Sequence, residues 1–249
     1  MKYSNLNDYI IELEKQGLLL RVKTEVSTDL EITEITDRMM ATDGPALLFE
    51  NVAGHTIPVL TNLFGSLKKM SLALGVEDVD QIADRISALL DTVQNPPKSI
   101  GAKVKLLGEL LKIAKLSPKT VKQAPCQEVI HTGEQVNLFD LPILKNWPLD
   151  GGKFITLPLV ITQDPKKSSQ NYGIYRIQVY DKNTTGLHWQ THKGAADHYR
   201  NTTEKLDVSI AIGSDPATIW SGSAPLPPDV DEMLLAGFVR NSPVKLVKC

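Results

Sequence analysis

Apolar residues recur at helical spacing and in short runs along the first hundred residues. Leu6, Tyr9 and Leu13 lie three or four positions apart, which predicts a helix that Ser4 or Asn5 caps. Helices and strands that alternate in this way predict a small α/β domain. The further predicted elements are a strand at 18–22, a helix that begins at Thr28 or Asp29, strands at 46–49 and 57–60, and helices near 67–74 and 79–93.

The segment 98–122 is amphipathic and rich in lysine. It contains seven lysines and one glutamate, with apolar positions such as Val104, Leu107 and Leu111 between them. One interpretation is a basic helix that contacts a membrane surface or an acidic partner. The simpler interpretation is a solvated helix that connects two domains.

The pattern changes after Pro125, where alternating and β-branched residues replace the helical spacing. This change predicts a mostly β region. We therefore expect an α+β protein with an N-terminal α/β domain at 1–120 and a second domain at 121–249. The predicted elements of the second domain are strands at 128–130, 155–161, 172–180, 185–191 and 206–212 and a helix at 229–240.

The bulk composition excludes only a few functions. The chain is 42% hydrophobic and carries a formal net charge of −2, which gives no electrostatic case for nucleic acid as a partner. Its two cysteines, Cys126 and Cys249, suit a reducing cytoplasm and form no zinc or disulfide pattern. The N-terminus lacks a signal-peptide pattern, and no run of 18 apolar residues predicts a membrane span.

Polar side chains interrupt the apolar pattern of the predicted strand at 171–179. Tyr172, Ile174, Arg176 and Gln178 would share one face of a regular strand. An arginine on an inward face needs an anionic partner, and a phosphate or carboxylate ligand would supply one. An arginine that faces water is the simpler alternative.

A second polar cluster follows at 188–194. Trp189 offers a surface on which a planar cofactor could stack, and Lys193 offers a charge for a phosphate. Gly194 permits a close approach of the backbone. His192 is a candidate metal ligand, with a hydrogen-bonded structural histidine as the alternative.

Asp231 and Glu232 open the last predicted helix, together with Asp229. Their ordinary role is to cap the helix and complement its dipole. Alternatively, one of these acids completes a metal site with Asn171 and His192. Amide, imidazole and carboxylate ligands suit Mn²⁺ or Mg²⁺.

Together these segments resemble the UbiD-type decarboxylases, which use a prenylated flavin. The segment 171–179 resembles the flavin-binding strand of the family, 189–194 resembles its second cofactor segment, and Glu232 resembles the acid that completes its metal site. The resemblance extends along nearly the whole chain. Further matching segments are 30–35, 44–51, 58–65, Leu141-Pro142 and 234–237.

The resemblance implies prenylated FMN as the cofactor, its phosphate bridged to the protein by Mn²⁺, with potassium as a further candidate. It implies Asn171, His192 and Glu232 as the metal ligands and Arg176 as the residue near the substrate carboxylate. A split β-barrel-like flavin domain, incomplete at its C-terminal end, would occupy 121–249. The implied cofactor contacts are Ile174, Tyr175, Arg176, His188, Trp189, Gln190, Lys193 and Gly194.

The most similar branch of the family implies decarboxylation of 4-hydroxy-3-polyprenylbenzoate to a 2-polyprenylphenol in ubiquinone biosynthesis. A flavin prenyltransferase would supply the cofactor, and the lipid-like substrate suggests peripheral association with the inner face of the membrane. The alternatives are a decarboxylase of another aromatic or acrylic acid, a flavin- or phosphate-binding fragment without catalysis, and an interaction fragment.

Decarboxylation of an arene also needs an acid that protonates the ring carbon after CO₂ leaves. The family places that acid beyond Cys249, so we expect little turnover from residues 1–249 alone. We expect homo-oligomers of a longer, full-length protein.

Overall fold

The N-terminal region folds as a small sheet with helices around it. The computed structural model describes residues 3–94, 99–167, 169–226 and 230–249. The elements of this region are α1 (Leu6–Lys15), β1 (Leu19–Val22), α2 (Glu31–Ala41), β2 (Ala46–Phe49), β3 (Val59–Thr61), α3 (Leu67–Leu74) and α4 (Asp80–Gln94). β1 pairs in parallel with β2, and β2 pairs antiparallel with β3.

The first two helices begin for different reasons. Asn5 caps α1, because its side chain accepts a backbone N–H of the first turn at 3.0 Å. The expected start of α2 at Thr28 or Asp29 is wrong, since the helix begins at Glu31. Thr28 is buried, and its hydroxyl accepts a hydrogen bond from Lys153 Nζ at 3.0 Å. The Thr28 hydroxyl, which was expected to cap the helix, is thus bonded to a residue 125 positions away in the sequence.

The lysine-rich segment forms a helix over only part of its length. α5 (Ile100–Ala114) is followed by β4 (Lys119–Val121). β4 pairs in parallel with β11 (Lys245–Val247), the last strand of the chain. The pairing joins the end of the linker to the end of the second region.

The second region contains two antiparallel sheets of three strands each. Its elements are β5 (Lys153–Ile155), β6 (Leu159–Gln163), β7 (Gln170–Ile174), β8 (Ile177–Val179), β9 (Thr185–Leu187), α6 (Gly194–Asn201), β10 (Val208–Ala211), α7 (Pro216–Ser221) and α8 (Glu232–Arg240). The strand orders are β10-β6-β7 and β5-β8-β9. Within the described residues these sheets do not close into a barrel.

Two long predicted strands are interrupted. The strand predicted at 155–161 breaks before Pro158, which has no backbone N–H to donate to a ladder. The strand predicted at 172–180 divides at Tyr175 and Arg176 into β7 and β8, which belong to different sheets. A single alternation of faces therefore does not extend across this segment.

Two other strand predictions fail in part or entirely. The strand predicted at 185–191 ends at Leu187, and a loop follows it. No strand forms at 128–130, where Val129 and Ile130 are 73% and 67% exposed. An apolar β-branched pair is insufficient for a strand when no neighbouring strand of the described chain pairs with it.

A hydrophobic cluster joins the N-terminal region to the second region. Leu74 and Ile82 of α3 and α4 pack in it together with Ala217, Leu235 and Val239 of α7 and α8. The helix that begins at Glu232 is therefore packed against the N-terminal helices.

The expected α+β class is confirmed, with an N-terminal domain and a second domain of several sheets. The boundary near residue 120 stays a prediction. None of the helices in the described part of the chain is long and apolar enough to cross a membrane.

Candidate functional site

The edge strand β7 brings two of the candidate segments together. β7 is an outer strand of its sheet. One edge of its backbone pairs with β6, and the other edge has no strand partner in the described chain. The N–H of Tyr172 donates to Glu232 Oε2 at 3.2 Å. This bond places the start of α8 directly beside the strand that carries Asn171.

Glu232 is held in a partly buried position at the first turn of α8. Burial raises the pKa of its carboxyl group, and the nearby charge of Asp231 raises it further. The N–H groups of Glu232 itself and of Tyr172 oppose the shift. Asp231 caps the helix, as expected, because its side chain accepts the Met233 N–H at 2.7 Å. Asp229 lies outside the described residues.

Asn171 faces the start of α6 from the neighbouring strand. A Cβ placed on Gly194 would lie only 2.3 Å from Asn171 Oδ1, so a larger residue at this position would force the Asn171 side chain to move. The Asn171 Nδ2 atom is buried without a hydrogen-bond partner in the described chain. An unsatisfied buried amide is costly, and it indicates a position where a ligand could bind.

Tyr175 closes one side of this arrangement. Its ring lies over Gly173, where an added Cβ would come within 2.4 Å of the ring. Burial raises the pKa of the Tyr175 hydroxyl, while the Ala195 backbone and the nearby Asn171 amide, which does not reach hydrogen-bond geometry, oppose the shift. Tyr175, Asn171 and the start of α6 thus form one contiguous group.

Most of the polar residues before α6 do not contact this group. His192 is exposed, and no hydrogen bond or ion pair joins it to Asn171 or Glu232 in the described chain. Lys193 is the N-cap residue of α6, and its side chain makes no cap hydrogen bond. His188 and Gln190 are also exposed.

Trp189 is the exception in this loop, because it packs against the hydrophobic core of the second region. Its ring lies 5.9 Å from that of Tyr199, at an interplanar angle of 56°. The indole Nε1 is buried and has no partner in the described chain. Trp189 therefore offers a second unsatisfied polar atom in the candidate site.

Arg176 lies at the break between β7 and β8, with 38% of its side chain exposed. Its guanidinium donates to both carboxylate oxygens of Asp150, at 2.9 and 2.5 Å, and stacks 3.7 Å from the centre of the Phe154 ring. No hydrogen bond or ion pair links Arg176 to Asn171 or Glu232 in the part of the chain that the structure describes.

Sequence reasoning missed two neighbours of the site. Asp150 lies before the Gly151-Gly152 pair, and no local pattern marks it as a partner of Arg176. The carbonyl of Gly222 accepts the Ile174 N–H at 3.2 Å, which brings the turn after α7 beside β7. A glycine between two serines is the only local signal for that turn.

The donor set of Asn171 and Glu232 fits a small cation. An amide and a carboxylate are oxygen ligands of the kind that Mn²⁺ and Mg²⁺ prefer, and exchanging the amide oxygen and nitrogen of Asn171 would direct the oxygen toward the unsatisfied position. The described residues contain no cluster of three or more His, Cys, Asp or Glu side chains that could hold a metal. A complete site thus needs the amide and a further ligand.

A large cavity lies elsewhere, between the two regions. It has a volume of about 520 Å³ and is lined mainly by apolar side chains in or beside α1, β3 and β5, including Leu6, Ile57 and Leu157. Phe154 belongs to its wall, whereas Asn171, Arg176 and Glu232 do not.

Comparison with known families finds a match for each of the two regions. The N-terminal domain of the 3-octaprenyl-4-hydroxybenzoate carboxy-lyase family matches residues 10–89, and the Rift-related domain of the same family matches residues 119–249. The second match alone covers more than half of the chain. The chain belongs to the UbiD family.

This UbiD-family chain is also similar to a protein of Aquifex aeolicus (strain VF5). The two are 48% identical over 252 residues, which cover 99% of this chain and 51% of that protein. The chain thus spans about half the length of the curated relatives that it matches.

Solved structures of UbiD-class enzymes have the same fold. An evolved dimeric form of HmfF from Pelotomaculum thermopropionicum, in complex with prFMN, gives a TM-score of 0.82 at 27% identity and covers 99% of this chain and 53% of that one. The closed form of vanillic acid decarboxylase from Sedimentibacter hydroxybenzoicus gives a TM-score of 0.81 at 27% identity, over 99% of this chain and 51% of that one.

Proposed function

We propose that this chain forms the cofactor-binding part of a non-oxidative decarboxylase of aromatic acids that uses prenylated FMN. The observation that carries the proposal is the meeting of Asn171, Gly194 and Glu232 around the edge strand β7. In sequence these residues are separated by more than 20 and more than 30 positions, so the fold is what joins them. Family membership and the prFMN complex of HmfF support the same cofactor.

Prenylated FMN would supply the electron sink that loss of CO₂ from an arene requires. In our proposal Asn171, His192 and Glu232 would hold a Mn²⁺ ion, with K⁺ as a further candidate, and the ion would neutralise the charge of the flavin phosphate. The cofactor itself would contact Ile174, Tyr175, Arg176, His188, Trp189, Gln190, Lys193 and Gly194. Arg176 would bind the substrate carboxylate through parallel N–H groups.

The substrate that we propose first is 4-hydroxy-3-polyprenylbenzoate, which would become a 2-polyprenylphenol in ubiquinone biosynthesis. A small phenolic acid is the second candidate, because the similar Sedimentibacter enzyme is a vanillic acid decarboxylase. A comparison of CO₂ release from the two acids, with prFMN present, would decide between them. A flavin prenyltransferase as supplier and a homo-oligomeric state of the full-length protein belong to the same proposal.

Binding of prFMN to the purified chain tests the proposal directly. We expect a flavin absorption spectrum after reconstitution with Mn²⁺. Asn171→Ala and Glu232→Gln should each weaken flavin binding by about tenfold or more, because both remove a cation ligand. Glu134→Gln is the control, since Glu134 is 98% exposed and forms an ion pair with Lys182 on the surface. Equal flavin affinity in all four proteins would contradict the site.

We further propose that α5 contacts an anionic membrane surface. Val104, Leu107 and Leu111 are 65%, 58% and 56% exposed on this helix, in a segment that carries seven lysines and one glutamate. The chain should sediment with vesicles that contain phosphatidylglycerol and much less with phosphatidylcholine alone. Leu107→Glu combined with Leu111→Glu should abolish sedimentation, and full binding by this variant would contradict the proposal.

A further inference from the structure

The guanidinium of Arg176 is held on two sides by fixed groups. Nη1 and Nη2 donate in parallel to Asp150 Oδ1 and Oδ2, at 2.9 and 2.5 Å. The Phe154 ring covers one face of the guanidinium, 3.7 Å from its centre. Asp150 precedes β5 and Phe154 lies on it, while Arg176 immediately precedes β8, the partner strand of β5.

The carboxylate of Asp150 is itself anchored to the main chain. Its Oδ2 accepts the Trp147 N–H at 3.1 Å, and its own N–H donates to the Trp147 carbonyl at 3.0 Å. The side chain is only 11% exposed. A carboxylate fixed to a closed turn is poorly suited to swing away when a ligand arrives.

Asp150 leaves one edge of the guanidinium available. An arginine has five N–H groups, and the two that point to Asp150 lie on the Nη1–Nη2 edge. In the described part of the chain, the Nε–H and the N–H group beside it have no acceptor. These two groups form a second parallel pair whose spacing matches a carboxylate.

Resting on the proposed function, we infer that Asp150 is a positioning residue that holds Arg176 so that its Nε edge receives the carboxylate of the aromatic acid. Arg176 follows the end of β7 and lies outside both sheets, so its long side chain would otherwise adopt many conformations. Asp150 removes that freedom before the acid binds, which lowers the entropic cost of binding. Because Asp150 occupies a different edge, it does not compete with the acid for the same N–H groups.

The test compares an acid with its uncharged analogue. We would load the chain with prFMN and measure by calorimetry the affinities of 4-hydroxybenzoate and 4-hydroxybenzamide. The wild-type chain should prefer the acid. Asp150→Asn keeps the size of the side chain but cannot accept two N–H groups, so it should weaken acid binding about tenfold without changing amide binding. Asp150→Glu should recover part of the loss, and Glu134→Gln should match the wild type.

A merely structural role predicts a different result. If Asp150 only supported the fold, both ligands would lose affinity together and the melting temperature would fall, which would overturn the inference. Acid binding that is unchanged or tighter in Asp150→Asn would also overturn it, since Asp150 would then be neutral or a competitor. Failure of the wild-type chain to bind prFMN would overturn the proposed function, and this inference with it. Flavin binding with an unaltered acid preference in Asp150→Asn would overturn the inference alone.

Discussion

At the scale of single residues, two side chains of the candidate site lie in space that glycines leave open. A Cβ on Gly194 would meet Asn171 Oδ1 at 2.3 Å, and a Cβ on Gly173 would meet the Tyr175 ring at 2.4 Å. Neither glycine has a positive φ angle, so the requirement is for space and not for backbone freedom. A side chain at either position would displace Asn171 or Tyr175 from its present place.

Gly194→Ala should therefore displace the Asn171 amide and weaken flavin binding by about tenfold or more in a fluorescence titration with Mn²⁺. Gly108→Ala is the matched control, because a Cβ at Gly108 on α5 would meet no atom within 4 Å. The control should keep wild-type affinity and raise the free energy of unfolding by about 0.5–1 kcal/mol. Wild-type flavin affinity in Gly194→Ala would count against the placement of Asn171.

Contacts between residues that are close in sequence were easier to predict than contacts between distant residues. The cap at Asn5 could be predicted because donor and acceptor lie within one helical turn. The ion pair of Arg176 with Asp150 could not, because 26 residues separate them and two strands must pair before they meet. From strand alternation alone, the two alternatives for Arg176 were a contact with an anionic ligand and exposure to water.

At the scale of elements, the turn between β6 and β7 fixes α6 against the sheet. Asp164 Oδ1 accepts the backbone N–H groups of Lys166 and Lys167 at 2.7 and 3.3 Å. Its Oδ2 accepts the Asn201 amide, at the end of α6, at 2.9 Å. One buried carboxylate thus ties the turn to the helix whose first residue contacts Asn171.

These hydrogen bonds lower the pKa of Asp164, the Lys166 N–H being the largest cause. A folded-state pKa below the unfolded value of about 3.9 stabilises the protein above that pH, and the contribution is lost as pH falls through the folded pKa. Asp164→Asn should therefore lower the free energy of unfolding at pH 7, and its difference from the wild type should shrink below about pH 3.9.

Denaturant unfolding at a series of pH values would check this prediction, with Asp207→Asn at an exposed position as the control. The control should match the wild type throughout. A difference for Asp164→Asn that stays constant down to the lowest pH would mean that the charge of Asp164 makes no contribution.

Helices were easier to predict than strands for a physical reason. A helix such as α1 satisfies its backbone hydrogen bonds internally, so a local pattern suffices to predict it. A strand needs a partner, which sequence spacing does not identify. The segment 128–130 has no partner strand among the described residues, so the strand predicted there does not form. β7 and β8 pair with different strands, so the strand predicted across them is divided.

At the scale of the whole molecule, the site depends on packing between the two regions. Glu232 begins α8, and Leu235 on the same helix packs in the cluster that contains Leu74 and Ile82. The position of the Glu232 carboxylate therefore depends on helices that lie more than 130 residues earlier in the sequence. The composition gave no indication of this dependence, because such a cluster forms only after both regions have folded.

Leu235→Ala should reveal the coupling between the two regions. Leu235 is 8% exposed, so its truncation should lower the free energy of unfolding by about 2–4 kcal/mol, whereas Leu67→Ala, at a position 74% exposed, should cost less than about 0.5 kcal/mol. Unfolding should remain one cooperative transition when followed by fluorescence and by circular dichroism, because the cluster links both regions. Flavin affinity should fall in Leu235→Ala as α8 loses its support. Two separate transitions, with only that of the second region shifted by the substitution, would show that the regions fold independently. The N-terminal helices would then not position Glu232.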